Sequence, residues 1–397
     1  MTAAYLMTDD LSSDGRRARP DGIRAVFMRG GTSKGLILHR ADLPERREDW
    51  GALFLALMGS PDPYGRQLNG MGGGVSSVSK VCVVGPPTVP GADVDYTFAQ
   101  VMVDEARVDF GGNCGNMSSA IGPFAVDEGL VAADGPEARV RIHNTNTGKI
   151  IHSFFPVEAG RALVRGDLRI PGVAGSGAPV RLEFLDPGGA STGRLLPTGQ
   201  AAQWLDVPGR GRVRVSMVDA ANACVFVDPR SVGLTGIEMP AELSARPDVL
   251  GMLNDIRIQA SMAMGIAATA EEARARRMIP FVGMVSPPQD AVMLSGEAIR
   301  AGDVDLTVRM ISSGQPHQAL QLTASLCIAV AARIDGTVAS EAARRDGGGE
   351  LRIGMPSGIL TVGATVRREA SGWVAEHGYF FRTARRLFDG RAYPMPG

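Results

Sequence analysis

The segment from Cys114 to Leu130, CGNMSSAIGPFAVDEGL, sets the strongest limit on how this chain can fold. Its residues are small or apolar on most sides of a helix, and it ends in acid and glycine. A helix without a polar face must be buried, and Gly122-Pro123 inside it predicts a kink. The rest of the chain therefore has to wrap around this helix.

Short apolar runs between turn signals fill most of the remaining sequence, which contains 51 glycines and 25 prolines. Such runs predict strands, and the pattern as a whole predicts an α+β fold with a mostly antiparallel sheet around a central helix. The predicted strands are 22–29, 35–39, 79–84, 94–104, 139–142, 150–157 and 180–185, and further helices are predicted at 49–58 and 248–264.

Two stretches of the second half repeat the layout of the first half. VRVSMVDAANACVFV (213–227) resembles IRAVFMRGGTSKGLIL (23–38), and SSGQPHQALQLTASLCIAVAARIDG (312–336) resembles the stretch around Cys114. Because both stretches of the second half follow their counterparts at a similar distance along the chain, the sequence predicts two copies of one fold. The predicted division is a disordered tail at 1–21, a first domain at 22–205, a second domain at 206–374, and a terminal part at 375–397 that packs back on the first domain.

Composition excludes several classes of function. The net charge of −1 provides no overall field for nucleic acid or membranes, and no run of about 18 apolar residues predicts a membrane span. The N-terminal stretch has no apolar segment of the signal-peptide type, so the cytoplasm is the predicted location. There is no CxxC pair or Cys/His cluster, which argues against a structural zinc site.

Cys114 differs from the other three cysteines. Cys82, Cys224 and Cys327 lie in apolar runs that are typical of a core, whereas Cys114 lies in DFGGNCGNMSS, among glycines and asparagines. If Cys114 opens the buried helix, the first backbone N–H groups of that helix point at the space in front of the thiol. The positive end of the helix then favours an anion.

The residues around Cys114 fit a carboxylate cradle. Glycines let a ligand approach the backbone closely, and the asparagine side chains can cap the helix or donate hydrogen bonds. An ordinary glycine-rich turn is the alternative. The candidate cradle residues are Gly112, Asn113, Gly115 and Asn116.

Lys80 is the second candidate for chemistry. It ends the loop NGMGGGVSSVSK (69–80) and starts the apolar run VCVV. Most lysines are exposed and have no such role. A lysine that is buried next to an anion cradle can instead act as a base.

Four motifs together resemble the PrpF family, whose members include 2-methylaconitate isomerase, aconitate Δ-isomerase and 4-oxalomesaconate tautomerase. They are MRGGTSKG (28–35), GSPDPYGRQLNGMGGGVSSVSK (59–80), DFGGNCGNMSSAIGPFAVDEGL (109–130) and VRIHNTNTGK (140–149). The later VSMVDAANACVFV, GQPHQAL, MPSG and FFRTARR fit the same pattern. The resemblance extends from about residue 22 to 390.

The resemblance implies a diaminopimelate epimerase-like fold with two similar domains, each a sheet around a central helix, and an active site in the cleft between them. It also implies that neither a metal nor an organic cofactor is needed. The catalytic lysine and cysteine of the family correspond to Lys80 and Cys114, which are 114 − 80 = 34 residues apart. Related epimerases use two cysteines, but the second predicted helix opens with SSGQPHQAL and has none.

The activity implied by the resemblance is the movement of a proton along an allylic unit of an unsaturated di- or tricarboxylate. Lys80 is the candidate base. Cys114 is the candidate acid, or the donor that holds the developing enolate, and the two roles can be exchanged. Homodimers are the commonest soluble oligomers in general, so a homodimer is the candidate assembly, and a small polycarboxylate is the expected partner.

Turns rich in donors are the candidate substrate-binding elements. Arginine suits bidentate binding of a carboxylate, and amides, hydroxyls and an imidazole can add donors, although each of these turns also has an ordinary structural explanation. The candidates are Arg29, Gly30, Gly31, Thr32, Ser33, Asn69, Ser76, Ser77, Ser79, Asn144, Thr145, Asn146, Thr147, His317, Ser357 and Gly358.

Several functions stay open at this point. The loop at 65–80 looks closest to the aconitate and methylaconitate branch of the family, and 4-oxalomesaconate tautomerase is the alternative within it. A non-catalytic polycarboxylate-binding protein is the alternative outside enzymes, and the presence of both Lys80 and Cys114 argues against it. An amino-acid racemase is disfavoured by the missing second cysteine.

Overall fold

The computed structural model describes residues 22–110, 113–276, 279–312, 314–344 and 349–394. The predicted tail at 1–21 and Gly112 of the predicted cradle lie outside these residues. The described strands are β1 (Ile23–Gly30), β2 (Ser33–His39), β3 (Lys80–Gly85), β4 (Val94–Val101), β5 (Val108–Asp109), β6 (Glu137–Asn144), β7 (Lys149–Glu158), β8 (Arg161–Ala162), β9 (Val180–Leu185), β10 (Gln203–Val207), β11 (Gly211–Ala220), β12 (Asn222–Val227), β13 (Phe281–Ser286), β14 (Ala291–Val292), β15 (Ala298–Ile299), β16 (Leu306–Ser312), β17 (Gln315–Pro316), β18 (Glu350–Met355), β19 (Gly358–Glu369), β20 (Gly372–Arg382) and β21 (Ala384–Ala392).

The helices are fewer and mostly short. They are α1 (Trp50–Met58), α2 (Gly115–Asp127), α3 (Pro240–Ser244), α4 (Pro247–Ala263), α5 (Ala270–Ala275), α6 (Leu322–Ala331) and α7 (Val338–Ala342). None of the described helices is long and apolar enough to span a lipid bilayer.

The strand pairing of the first half recurs in the second half. In the first half, β1 and β2 form a hairpin, β2 is parallel to β3, β3 is antiparallel to β4, and β4 is parallel to β6. The second half repeats this sequence of pairings with β11, β12, β13, β16 and β18. In each half the central helix, α2 or α6, follows the fourth of these strands along the chain. The predicted α+β fold with an internal repeat is confirmed.

The two halves are joined into one sheet. β20 pairs with β19 of the second half on one side and with β9 of the first half on the other. The chain then continues into β21, which pairs antiparallel with β1, so that Ile23 lies opposite Ala392.

Helix α2 is buried on all sides because its residues are small where other elements approach. A methyl group at Gly122 would lie 2.5 Å from the Ser153 Oγ and 2.8 Å from the Phe155 ring. Side chains from α2, including Phe124, share one continuous apolar core with side chains from α6, including Leu326. The sheet covers α2 on one side and α6 covers it on the other. The burial that the lack of a polar face predicts is thus explained.

The starts of the two central helices meet across this core. A methyl group at Gly115, the first residue of α2, would lie 3.3 Å from the Cβ of Leu322, the first residue of α6. The outer faces of the sheet are covered by α1 in the first half and α4 in the second. The arrangement brings two helix N-termini to one place, which is the geometry that concentrates unpaired backbone N–H groups.

An aspartate–arginine pair fastens the parallel strands of each half. The backbone N–H of Asp93 donates to the Arg141 carbonyl at 2.7 Å, and the Arg141 N–H donates to the Asp93 Oδ2 at 2.8 Å. Asp305 and Arg352 make the same two bonds at 2.8 and 2.7 Å in the second half. Burial opposes ionisation of both carboxyls, but the arginine hydrogen bonds outweigh burial and lower the pKa of Asp93 and of Asp305.

The second central helix begins later than the sequence predicts. Gln315–Pro316 pairs with β16, and the His317 N–H donates to the Met310 carbonyl at 2.8 Å, so the backbone here belongs to the sheet. The helix starts at Leu322 with Gln321 as its N-cap. The placement of His317 at the start of this helix was therefore wrong.

Candidate active site

Cys114 lies at the start of α2, in the N-cap position, with an extended backbone (φ −107°, ψ 99°). The Cys114 carbonyl accepts the first intrahelical bond, from the Ser118 N–H at 2.9 Å. The thiol is partly buried and packs against the main core. The preceding N–H groups of the first turn have no partner within the helix, so the thiol lies beside backbone donors and the positive end of the helix.

Lys80 is the first residue of β3, and only 7 % of it is exposed. Its Nζ donates to the Gln100 Oε1 at 2.6 Å and lies 5.0 Å from the centre of the Phe98 ring. The Gln100 Nε2 in turn donates to the carbonyls of Ser76 and Ser79, each at 3.0 Å. A neutral amide and an aromatic face therefore surround the ammonium group, and no ion pair with a described Asp or Glu is formed.

The side chains of Lys80 and Cys114 approach the same region around Cys82. Lys80 and Cys82 are two residues apart on β3 and so point to the same face of the sheet, the face that carries α2. Burial raises the pKa of the Cys82 thiol, Cys114 raises it further, and Lys80 acts in the opposite direction. Both groups are thus near enough to affect the ionisation of one buried thiol.

The glycine turn between β1 and β2 packs against the first turn of α2. A methyl group at Gly30 would lie 2.5 Å from the Asn116 carbonyl oxygen, and one at Gly31, where φ is +51°, would lie 2.2 Å from the Asn116 Oδ1. The Asn116 Nδ2 donates to the Thr32 Oγ1 at 3.1 Å. Ser33, the first residue of β2, is buried. Glycine is required at both positions for this close approach.

Arg29 holds the same turn from the other side. Its Nη1 donates to the carbonyls of Gly31 and Thr383, at 2.9 and 2.8 Å. Burial and the nearby Arg385 lower the pKa of Arg29. Its described hydrogen bonds therefore go to the backbone, and a role towards substrate stays a prediction.

The turn at Asn144–Thr147 supports the wall next to Lys80. Asn146 accepts from the Phe98 N–H at 2.7 Å and donates to the Phe98 carbonyl at 2.9 Å, which fixes the residue whose ring lies under the lysine. Asn144 accepts from the Thr147 N–H and Oγ1 and donates to the Asn113 Oδ1 at 3.4 Å. Thr145 bonds the Thr97 hydroxyl at 2.6 Å. These amides connect the turn to the start of α2.

On the opposite side of the site, Gln321 occupies at α6 the position that Cys114 occupies at α2. Both are the N-cap residues of the central helices. The Gln321 Oε1 is buried and has no hydrogen-bond partner among the described residues. An amide cannot exchange a proton as a thiol does, so the second helix offers a hydrogen-bonding group instead of an acid.

His317 lies near this helix start, but it stabilises a turn. Its Nδ1 accepts from the Ala319 N–H at 3.0 Å, so the proton of the neutral ring is on Nε2. Burial lowers the pKa of His317, which favours this neutral form. The imidazole is therefore a potential donor through Nε2.

The turn that carries Ser357 and Gly358 reaches the first half through Pro171. A methyl group at Gly358 would lie 3.1 Å from the Pro171 Cγ, and one at the neighbouring Gly172 would lie 3.4 Å from the Thr32 Cγ2. The Ser357 Oγ is buried and has no hydrogen-bond partner among the described residues. The segment around Pro171 thus connects turns from both halves.

The loop before Lys80 divides into a buried part and an exposed part. Ser79 is fully buried and donates to the Gln67 Oε1 at 2.6 Å, whereas Ser76 and Ser77 are exposed. Asn69 is exposed too and lines a cleft of about 590 Å³ with Tyr64 and Leu68, which Lys80 and Cys114 do not line. Of these predicted residues, the structure brings Ser79 closest to the lysine.

Three residues of this region escaped the sequence analysis: Gln100, Gln321 and Arg382. Arg382 is buried and donates through Nε to the Asn116 Oδ1 at 3.3 Å. The motif FFRTARR contained the signal for Arg382, but the pairing that brings it to α2 spans 266 residues. No group of three or more His, Cys, Asp or Glu side chains within the described ranges could hold a metal ion.

Two strand-wrapped helices that meet at their N-termini, with a thiol at one of them and a buried lysine beside it, define a protein of the epimerase-like fold. A solved hydroxyproline epimerase from Agrobacterium vitis has the same fold at 12 % identity, with a TM-score of 0.50 over 94 % of this chain and 93 % of that one. A crystal structure of methylitaconate-delta-isomerase superposes with a TM-score of 0.87 at 41 % identity, covering 94 % of this chain and 95 % of the other.

The chain belongs to the PrpF family, whose model, described as PrpF protein, matches residues 21–395. It is 42 % identical to 3-methylitaconate isomerase of Eubacterium barkeri over 94 % of this chain and 97 % of the relative. It is 40 % identical to 2-methyl-aconitate isomerase of Cupriavidus necator, over 93 % and 96 %. Identity to (4E)-oxalomesaconate Delta-isomerase of Novosphingobium sp. (strain KA1) is 36 %, over 93 % and 97 %. The family predicted from the sequence motifs is confirmed.

Proposed function

We propose that this protein is a cofactor-independent isomerase that moves a proton along the allylic unit of an unsaturated di- or tricarboxylate of the aconitate or methylaconitate type. The observation that carries the proposal is a buried lysine on the face of the sheet that carries α2, together with a cysteine at the N-cap position of that helix. The names of the relatives, all isomerases of unsaturated carboxylates, support it.

The lysine is assigned the role of base. In its neutral form, the Lys80 Nζ takes a proton from the carbon next to a substrate carboxylate, and the C–H electron pair delocalises into a dienolate. The contact with Gln100 orients the amine, because the Lys80 Nζ donates one hydrogen to the Gln100 Oε1, with 2.6 Å between the two heavy atoms. The absence of an ion pair with any described acid leaves the amine available for proton transfer.

The thiol is assigned the role of acid. Cys114 gives its proton to the far carbon of the allylic unit, and the resulting thiolate recovers a proton from the Lys80 ammonium, directly or through water. Backbone N–H groups at the start of α2 stabilise the dienolate, and one such donor is typically worth about 3 kcal/mol. Because the second helix carries Gln321, proton removal and return take place on one face of the substrate.

The test is isomerisation in D₂O, followed by proton NMR for trans-aconitate, cis-aconitate, methylaconitate and 4-oxalomesaconate separately. The wild type should label or isomerise one of them, and Lys80→Met and Cys114→Ser should lose this activity by at least about a hundredfold. Cys224→Ala, which removes a buried thiol of the second half, is the matched control and should retain it.

The outcomes separate the alternatives. Turnover of 4-oxalomesaconate alone would assign the tautomerase function, which the Novosphingobium relative favours. Binding without any exchange would indicate a non-catalytic polycarboxylate-binding protein. Full activity in either the Lys80 or the Cys114 variant would contradict the acid–base pair.

A further inference from the structure

The guanidinium of Arg382 is buried at the start of α2 without an acidic partner. Arg382 is the last residue of β20, and 6 % of it is exposed. It forms no ion pair with any Asp or Glu that the structure describes. Burial of an unpaired cation is costly, and it lowers the pKa of Arg382 to about 9. A bound anion would stabilise the buried, unpaired positive charge of Arg382.

Comparison with Arg309 shows that the hydrogen bonds of Arg382 are incomplete. Arg309 is 1 % exposed and also lacks an ion pair with a described acid, but its Nε, Nη1 and Nη2 each donate to a backbone carbonyl, at 2.7 to 3.0 Å. Arg382 donates through Nη1 to the Phe381 carbonyl at 2.8 Å and through Nε to the Asn116 Oδ1 at 3.3 Å. Its Nη2 makes no hydrogen bond to a described residue.

The surroundings of Arg382 supply further donors and no described acid. A methyl group at Gly31 would lie 3.0 Å from the Arg382 Cδ, so the glycine turn passes directly over the side chain. Asn116 lies in the first turn of α2, where backbone N–H groups lack partners within the helix. The guanidinium and the positive helix end therefore act on the same small region.

We propose that Arg382 binds one carboxylate of the substrate, beside Thr32 and Asn116. This inference rests on the proposed function and adds the residue that orients the substrate. A guanidinium can hold a carboxylate through two parallel hydrogen bonds. Arg382 bonds Asn116 in the first turn of α2, and Cys114 is the N-cap residue of the same helix, so the anchored carboxylate and the thiol belong to the same helix start.

The test measures binding apart from catalysis. Propane-1,2,3-tricarboxylate is saturated and cannot isomerise, and its affinity is determined by calorimetry for the wild type, Arg382→Met, Arg382→Lys and the matched control Arg309→Lys. Loss of a charge-assisted bond should weaken binding about 10- to 100-fold in Arg382→Met, and less in Arg382→Lys. Arg309→Lys, which changes an equally buried arginine, should bind within about twofold of the wild type.

A second measurement separates recognition of a carboxylate from a structural role. The KM values for monomethyl esters of the substrate that the wild type turns over are compared between the wild type and Arg382→Lys. The lysine variant keeps the buried charge, so it can be measured even if Arg382→Met does not fold. The ester that blocks the anchored carboxylate should raise KM in the wild type and raise it much less in the variant. Equal ester penalties in both proteins, or unchanged tricarboxylate affinity in the variants, would overturn the proposal.

The two proposals fail in different ways. If the wild type isomerises a substrate but the Arg382 variants bind and discriminate as it does, only the role of Arg382 is refuted. If the wild type binds the tricarboxylate through Arg382 but exchanges no proton of any tested acid, the catalytic proposal is refuted and the carboxylate site stands.

Discussion

Replacing Gln100 with glutamate changes the charge next to Lys80 without changing the length of the side chain. The Gln100 Oε1 accepts from the Lys80 Nζ at 2.6 Å, and its Nε2 donates to the Ser76 and Ser79 carbonyls. The carboxylate keeps the first contact and loses the other two. Since a base must be unprotonated, an anion at this distance should hold the lysine in its charged, inactive form.

The size of the effect follows from the distance between the two groups. Two unit charges 2.6 Å apart attract each other by about 1.6 kcal/mol in bulk water and by about 6 kcal/mol at an effective dielectric constant of 20. One pH unit corresponds to 1.36 kcal/mol. The pH at which kcat is half-maximal should therefore rise by about one to four units, and kcat at neutral pH should fall at least about tenfold.

The assay is kcat as a function of pH for the wild type, Gln100→Glu and Gln100→Leu. The leucine variant removes the same two hydrogen bonds to the loop, and the bond from Lys80 as well, but adds no charge, so it should be slower without an alkaline shift. If both variants lose activity equally and neither pH profile moves, Gln100 only holds the loop at Ser76–Ser79. The assignment of Lys80 as the base would then be refuted.

Two further predictions concern stability. Gly30→Ala places a methyl group 2.5 Å from the Asn116 carbonyl oxygen and should lower the free energy of unfolding by about 1 to 3 kcal/mol. The control Gly51→Ala, on α1 with no atom within 4 Å of the new methyl group, should raise the free energy of unfolding by up to about 1 kcal/mol. Urea unfolding that changes the stability of both variants in the same direction would contradict the packing argument. Folding lowers the pKa of Asp93 and Asp305, so the stability they provide is present above their unfolded value of about 3.9 and is lost as the pH falls through the folded value. Asp93→Asn and Asp305→Asn lack this contribution, and their melting temperatures should fall less steeply than that of the wild type below about pH 4. Parallel curves of melting temperature against pH for the variants and the wild type would contradict this role of the two carboxylates.

The fold was predictable from local pattern, and the main reason is helix α2. Its lack of a polar face requires a protein built around it, and the repeat of the strand–turn–strand layout at 213–227 indicates the second copy. The error at the second helix has a local cause. The stretch SSGQPHQAL is predicted to open the helix, but the residues at 315–316 pair with β16 and delay the helix to Leu322.

The candidate site was predictable only where a single segment carries the signal. Cys114 and Lys80 each lie in an unusual glycine-rich context, and the family resemblance indicated their roles. Gln100 escaped detection because it faces Lys80 only through the register of β3 and β4, which depends on contacts distant in sequence. Arg382 lies in the motif FFRTARR and Gln321 in ordinary-looking sequence, and only the folded chain shows that both are close to the helix starts.

The pairing of β21 with β1 has a consequence for how the protein is made. The ribosome releases β1 early, yet β21, which pairs with the second edge of β1, comes last, and Ala392 follows its partner Ile23 by 392 − 23 = 369 residues. Until then, the apolar edge next to the glycine turn is open to pairing with other chains. Arg382 also arrives in this last segment, so a nascent chain already has its thiol and lysine but not its buried cation. Because the pairing of β21 with β1 joins the two ends of the described chain, we expect it to form late and slowly in folding.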